Sequence, residues 1–306
     1  MARAKILDFS KWQAWLNALK IKEVFDPDVI FIRLGIGLGK DEKFELFYQL
    51  LTDAGFRVAV YFVWSPYYSA AAQVELVRQA LAGKKIVAFA SDLELHGGYS
   101  KTYLQSAFYQ YHTQVRFVPQ IAPLPAKAFF LYSAKWFIDA YFGYPAWLLK
   151  EIAWNANYAG IPLSPADYVY YQQDNVNPWT TFIENWHAWQ FAEKMASAGC
   201  AGSSTIDASV SRDGRKQFLA DIGAIELEPP PPPILPTPVN IATVAVAALN
   251  MRSGAGATFA AWGTLAQNAS VYVFEKQDIL GTIWGRIGVN AWIAIKSPTM
   301  TYVVLT

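Results

Sequence analysis

Lys85-Ile86-Val87-Ala88-Phe89-Ala90-Ser91-Asp92-Leu93-Glu94 is an apolar, β-prone run that ends in two carboxylates. Helical patterns flank it at 69–82 and 100–113, so it reads as a buried strand of a parallel sheet. Further apolar runs lie at 5–9, 29–34, 58–64, 128–132, 153–157, 168–171 and 187–191, with another helical pattern at 41–54. Strands that alternate with helices predict βαβ units. Eight such runs over roughly 210 residues predict an α/β fold, a closed TIM-type (β/α) barrel. The helical signal weakens after Trp154, so the later repeats are expected to be mostly strand. An open doubly wound sheet is the alternative.

Asp92 and Glu94 are two apart, and on a strand both side chains point to one face. Like charges this close do not both ionise cheaply, so one pKa is expected to rise. A raised carboxyl beside an ionised one is the equipment of glycosidic bond cleavage. The plainer reading is a strand end with two solvated acids. In a parallel barrel the C-terminal strand ends meet around one pocket. Asp8 then joins Asp92 and Glu94, with Tyr61, Tyr132 and Trp189-Gln190 at or near other strand ends. Ser203-Ser204-Thr205-Ile206-Asp207 follows the last expected strand and returns another acid to the rim. The expected site is an acidic cleft with aromatic walls and no metal ligands, suited to sugar rather than phosphate.

The composition narrows the class. With 54% hydrophobic and 16% charged residues, the chain is globular rather than disordered. A net charge of +1 gives no argument for a nucleic-acid partner. Cys200 is the single cysteine, so neither an intrachain disulfide nor a cysteine metal cluster is expected. No cofactor is expected. The apolar run 241–249 is too short to span a bilayer, so no membrane partner is expected. No apolar stretch of signal-peptide length follows Met1, which predicts a protein kept in the cytoplasm until it is released.

Residues 225–239 carry the run Pro229-Pro230-Pro231-Pro232-Pro233, expected as a semi-rigid extended spacer. It separates an expected catalytic barrel, 1–224, from a small all-β barrel, 240–306. In the latter, short strands at 245–250, 270–275, 282–287, 291–295 and 302–305 are broken by Gly, Asn and Ser.

The pieces, taken in order, resemble the glycoside hydrolase family 25 lysozymes. Asp8-Phe9-Ser10-Lys11-Trp12-Gln13 is similar to the family's Asp-x-Ser-x-x-Gln opening, and Asp92-Leu93-Glu94 to its Asp-x-Glu. Phe31 to Gly37, Val58 to Phe62, Leu131-Tyr132-Ser133, Trp154 to Tyr158, Trp189-Gln190-Phe191 and Ile206-Asp207 fall in the family's order. The resemblance covers residues 5 to about 210 and implies N-acetylmuramidase activity on peptidoglycan, by cleavage of the β-1,4 bond between N-acetylmuramic acid and N-acetylglucosamine. It implies Glu94 as general acid and later base. Asp92 would orient the substrate acetamido group or stabilise developing charge, and Asp8 and Asp207 would complete the acidic floor. Tyr61, Tyr132, Trp189, Gln190 and Arg33 are the expected substrate-binding residues. Three departures bear on the subsites: Arg33-Leu34-Gly35 replaces a Lys-x-Ser/Thr-Glu-Gly seen in some members, Phe62 replaces a polar residue, and the 162–185 segment is long. The rival enzyme reading is another acetamido-sugar hydrolase of the chitinase kind; a catalytically silent glycan-binding barrel is the non-enzyme one.

Ala248-Leu249-Asn250-Met251-Arg252-Ser253-Gly254 resembles the start of bacterial Src-homology-3-like domains, with Trp284 to Ile287 and Ala291-Trp292-Ile293 similar to later strands. That implies binding to a cell-wall peptide or bridge. The whole then resembles a phage or prophage endolysin. Other signals are set aside. Gly35-Ile36-Gly37-Leu38-Gly39-Lys40 has the wrong spacing for a phosphate loop. His96, His112 and His187 show no metal-ligand spacing, and there is no Gly-x-Ser-x-Gly elbow.

Overall fold

A computed structural model describes residues 2–224, 240–288 and 291–306. The expected spacer at 225–239 lies outside the described residues. The chain divides into two compact units, essentially the residues before that stretch and those after it.

The first unit is a barrel. Its strands are β1 (Arg3–Phe9), β2 (Val29–Ile36), β4 (Val58–Val63), β5 (Phe89–Asp92), β6 (Phe129–Ala134), β7 (Ala153–Ala156), β8 (Trp186–Ala196) and β9 (Thr205–Gly214), with a short flap, β3 (Gly39–Lys40), paired on β2. Parallel pairing runs from β1 through β2 and β4 to β8. β9 then pairs antiparallel with both β8 and β1 and closes the ring. The flap depends on Gly35, where a Cβ would run into the Gly39 carbonyl oxygen. Gly37 turns the chain at φ +58°, which glycine adopts without strain.

Strand alternation sorts the core into two layers. Leu7, Phe9, Ile30, Ile32, Val58, Val60, Phe62, Phe89, Leu131 and Phe191 face the surrounding helices and loops. Ile6, Phe31, Ala59, Ala90, Phe130, Trp154 and Ala188 fill the barrel interior. Each fully buried Leu, Ile or Phe contributes about 1.5–3 kcal/mol relative to exposure, so both layers hold the wall rigid. The helices outside are α1 (Ala18–Val24), α2 (Phe44–Asp53), α3 (Ala70–Leu81) and α4 (Lys101–Val115). Asn17, Ser69 and Ser100 cap α1, α3 and α4 by accepting a backbone N–H with the side chain. After α4, among the described residues, the α-helical pieces are short: α5 (Lys135–Phe137), which runs on into a π-helical turn (Ile138–Phe142), α6 (Tyr168–Tyr171) and α7 (Arg215–Asp221). The expected fading of helices after Trp154 is therefore seen.

Three expectations need correction. The stretch at 168–171 is the helical turn α6, not a strand. Ser164 and Asp167 form a capping box with Pro165 at the first position, and Tyr168 and Tyr171, three apart, are the buried pair. The eighth strand is instead β9, which makes the sheet mixed rather than all parallel. The link 197–204 is too short for a crossover, which needs a dozen or more residues, so the chain doubles straight back. Finally, β5 ends at Asp92, so Glu94 stands beyond the strand.

In the second unit, among the described residues, β10 (Asn240–Val244), β13 (Ser270–Val273) and β17 (Val303–Leu305) make one sheet. β11 (Ala248–Arg252), β12 (Ala261–Ala266), β14 (Glu275–Ile279), β15 (Thr282–Gly288) and β16 (Ala291–Lys296) make another. Leu249 and Met251 are buried on either side of exposed Asn250, the period of a one-face strand. All strand pairings in this unit are antiparallel.

Candidate active site

The interior residues at the strand ends form a cleft of about 300 Å³ lined by Asp8, Arg33, Tyr61, Asp92, Glu94, Tyr132, Trp154, Tyr158, Gln190, Glu193 and Asp207, with Ser10, Trp12 and Val63. Register explains the convergence. Asp8 and Asp207 are partners on β1 and β9, Arg33 and Tyr61 on β2 and β4, and Asp92, Tyr132 and Trp154 on β5, β6 and β7. Residues paired across strands share a face, and this face is the inner one.

A hydrogen-bond chain crosses the cleft. Tyr132 donates its hydroxyl to Gln190 Oε1 at 2.7 Å, and Gln190 Nε2 donates to Asp8 Oδ2 at 2.9 Å. Tyr132 has spent its one proton, so in the 3.1 Å contact with Tyr158 the Tyr158 hydroxyl is the donor. Trp154 donates Nε1 to Ser209 Oγ at 3.0 Å and meets Tyr132 edge-on, with ring centres 5.1 Å apart. The aromatic walls are thus fixed from behind.

The acids differ in environment. Burial is the main force on each. It pushes Asp8 up to about 7, aided by the Glu94 charge, while hydrogen bonds from Gln190 and Asp207 and the Arg33 charge pull it down. Asp207 is raised well above the usual range by burial and by Asp8. Burial, then the Glu94 and Asp8 charges, raise Asp92 likewise. Its Oδ1 is buried with no hydrogen-bond partner. Glu94 is raised by burial and opposed by Arg33. Its side chain stands at the water-exposed edge of the cleft. Arg33 is the cation inside the cleft; its Nε donates to Asp41 Oδ2 at 2.8 Å, a buried pair, and Asp41 is further held by the Lys11 and Lys43 backbone N–H groups.

Eight of the nine expected site residues line this cleft: Asp8, Arg33, Tyr61, Asp92, Glu94, Tyr132, Gln190 and Asp207. Trp189 does not, which is a correction. It is adjacent to Gln190 on β8, so the two point to opposite faces. Trp189 is fully buried outside the barrel wall, with Nε1 on the Asn157 carbonyl at 2.8 Å and Tyr171 and Phe191 against its ring. Glu94 keeps its place although the strand stops at Asp92. Leu93 N donates to the Tyr132 carbonyl at 2.9 Å and Ser133 Oγ to the Leu93 carbonyl at 2.7 Å, which holds the chain extended past the strand end.

Trp154, Tyr158 and Glu193 are cleft residues that the sequence reading did not place there. Trp154 was findable, because it lies on the expected strand at 153–157, and in the fold it is the register partner of Tyr132. Glu193 was not, because irregular pairing of β8 between Gln190 and Met195 rotates it. Away from the cleft, the fold brings ligand atoms of His187, Asp213 and Asp221 within 4.8 Å of one another. Lys127 Nζ already lies 2.9 Å from Asp221 Oδ2 there.

Residues 7–200 match the protein family described as glycosyl hydrolases family 25. No curated protein matches the chain. A solved bacterial lysozyme from Streptomyces coelicolor is similar in fold, with TM-score 0.54 and 17% identity over 72% of this chain and 96% of that one. A family 25 glycosyl hydrolase from Bacillus anthracis gives TM-score 0.54 and 14% identity over 71% and 92%. A muramidase from Acremonium alcalophilum gives TM-score 0.53 and 16% identity over 72% and 99%.

Proposed function

The chain belongs to glycosyl hydrolases family 25, and on that premise we propose that it is a peptidoglycan hydrolase that cleaves the β-1,4 bond between N-acetylmuramic acid and N-acetylglucosamine. The observation that carries this reading is the meeting of Asp8, Asp92, Glu94 and Asp207 in one aromatic-walled cleft at the strand ends.

Glu94 is the group at the water-accessible side with a raised pKa, the two properties a general acid needs. It gives its proton to the glycosidic oxygen as the bond to the anomeric carbon breaks, then takes one from the water that completes hydrolysis. The unpartnered Asp92 Oδ1 is a waiting acceptor for the acetamido N–H of the bound sugar. Asp8 and Asp207 supply negative potential where the ring gains positive charge, and Arg33, Tyr61, Tyr132 and Gln190 hold the sugar. Residues 1–224 are then the catalytic domain, 225–239 a spacer, and 240–306 a bacterial Src-homology-3-like module that takes a cell-wall peptide or bridge, as in an endolysin. Among the described residues no helix is long and apolar enough to cross a membrane.

Mass analysis of fragments from digested peptidoglycan tests the activity. Reducing-end muramic acid is the expected product. Reducing-end glucosamine would move the cut to the other bond, and no cleavage would make the barrel a glycan-binding module.

A further inference from the structure

Glu94 borders two cavities. On one side is the acidic cleft. On the other is an open groove of about 610 Å³ lined by Tyr67, His96, Trp136 and Tyr141, with the Gly97-Gly98 turn. Tyr67 and Trp136 are each 63% exposed, so the core does not need them. His96 lies flat on Tyr141, ring centres 3.9 Å apart and planes 4° from parallel. Its Nδ1 accepts the Gly98 N–H at 3.1 Å, which leaves the neutral ring's proton on Nε2. Among the groove's lining residues Glu94 is the sole carboxylate. A contiguous exposed aromatic surface of this kind, joined to a cleft, is the mark of a ligand surface.

An acid that protonates a glycosidic oxygen must stand between the two sugars that flank the bond. The carboxylate-rich cleft suits the sugar on which positive charge develops. The groove offers flat apolar faces and few charges, which suits sugar units that take no charge. We propose that the groove binds the leaving-group side of the glycan strand, with pyranose faces against Trp136 and Tyr67 and His96 Nε2–H donating to a sugar oxygen. This rests on the function proposed above, and deepens it: the enzyme reads strand length beyond the scissile bond.

The test uses the full chain, peptide-free glycan oligosaccharides of increasing length, and a short substrate whose leaving group is a single aryl alcohol. In Trp136→Ala and Tyr67→Ala the ratio of kcat/KM for long over short substrate should fall about 3–10-fold, carried mainly by KM. Trp136→Phe should restore most of it. An unchanged ratio in both alanine variants overturns the proposal. So does a loss confined to peptide-bearing strands, which would make the groove a stem-peptide site. Isothermal titration of the same oligosaccharides into Glu94→Gln protein, with and without Trp136→Ala, reads the groove independently of turnover. Weaker binding in the double variant supports the proposal and equal binding overturns it, whereas a wild-type protein that cuts neither substrate sinks the functional reading instead.

Discussion

Asp8 and Asp207 face each other directly across the antiparallel β1–β9 pair, and burial in the closed barrel raises both carboxyls above the ordinary range. The pairing exists because β9 returns antiparallel and delivers its N-terminal end to the mouth of the barrel. It ties the stability of the fold to pH.

Burial pushes the Asp8 carboxyl up to about 7, from an ordinary value of 3.8. A carboxyl whose folded pKa is raised stabilises the fold fully below its unfolded pKa, and that stability is lost as pH rises through its folded value. Asp8→Asn should therefore match wild type near pH 4 and be the more stable protein above about pH 7. The check is Tm of both proteins across that window, where each kcal/mol is about 2–4 °C for a domain of this size. A difference that does not change with pH would mean that Asp8 is not held protonated.

Glu94→Gln should fold normally and lose about 10²–10⁴ of turnover, the worth of one proton donor. Assays of wall lysis beside a melting curve decide it. Near-native lysis by a well-folded variant would remove Glu94 from the acid role.

Asp92→Asn should shift the pH–rate profile. Burial and the Glu94 charge raise Asp92, so the two acids give up their last proton together at raised pH; with Asn at 92 Glu94 titrates alone, and the alkaline limb should move to lower pH. An unmoved limb would show that the pair does not couple.

Trp189→Ala and Gln190→Ala, one residue apart, should fail in different ways. The first removes an indole buried outside the wall and should cost about 3–5 kcal/mol of stability. The second leaves Asp8 and Tyr132 without their bridge, should cost about 1–3 kcal/mol, and should lower kcat in the protein that remains folded. Denaturant titrations and single-turnover rates separate the two. Equal loss of specific activity in both would contradict the opposite facing.

Deletion of 229–306 should leave hydrolysis of soluble fragments nearly intact and weaken lysis of whole walls, because a second binding site raises the barrel's effective concentration at its polymer. Equal whole-wall lysis by both forms would give the second unit another task.

The sequence by itself determined the local elements and the chemistry to be arranged. Apolar runs at strand spacing marked seven of the barrel strands, and the helical patterns at 69–82 and 100–113 marked α3 and α4. Asp8, Asp92 and Glu94 at or just past strand ends were legible because a parallel barrel gathers such ends. Only the tertiary structure decided which of two adjacent residues faces inward. Trp189 and Gln190 look alike as candidates until the register with β7 and β9 assigns one to the core and one to the cleft. It also decided the eighth strand, since Tyr168–Tyr171 is as β-prone as it is helical and a capping box settled the matter. The burial of the acids was equally beyond the sequence. Spacing predicts that Asp92 and Glu94 interact, but burial drives each carboxyl upward, and burial is a property of the closed barrel.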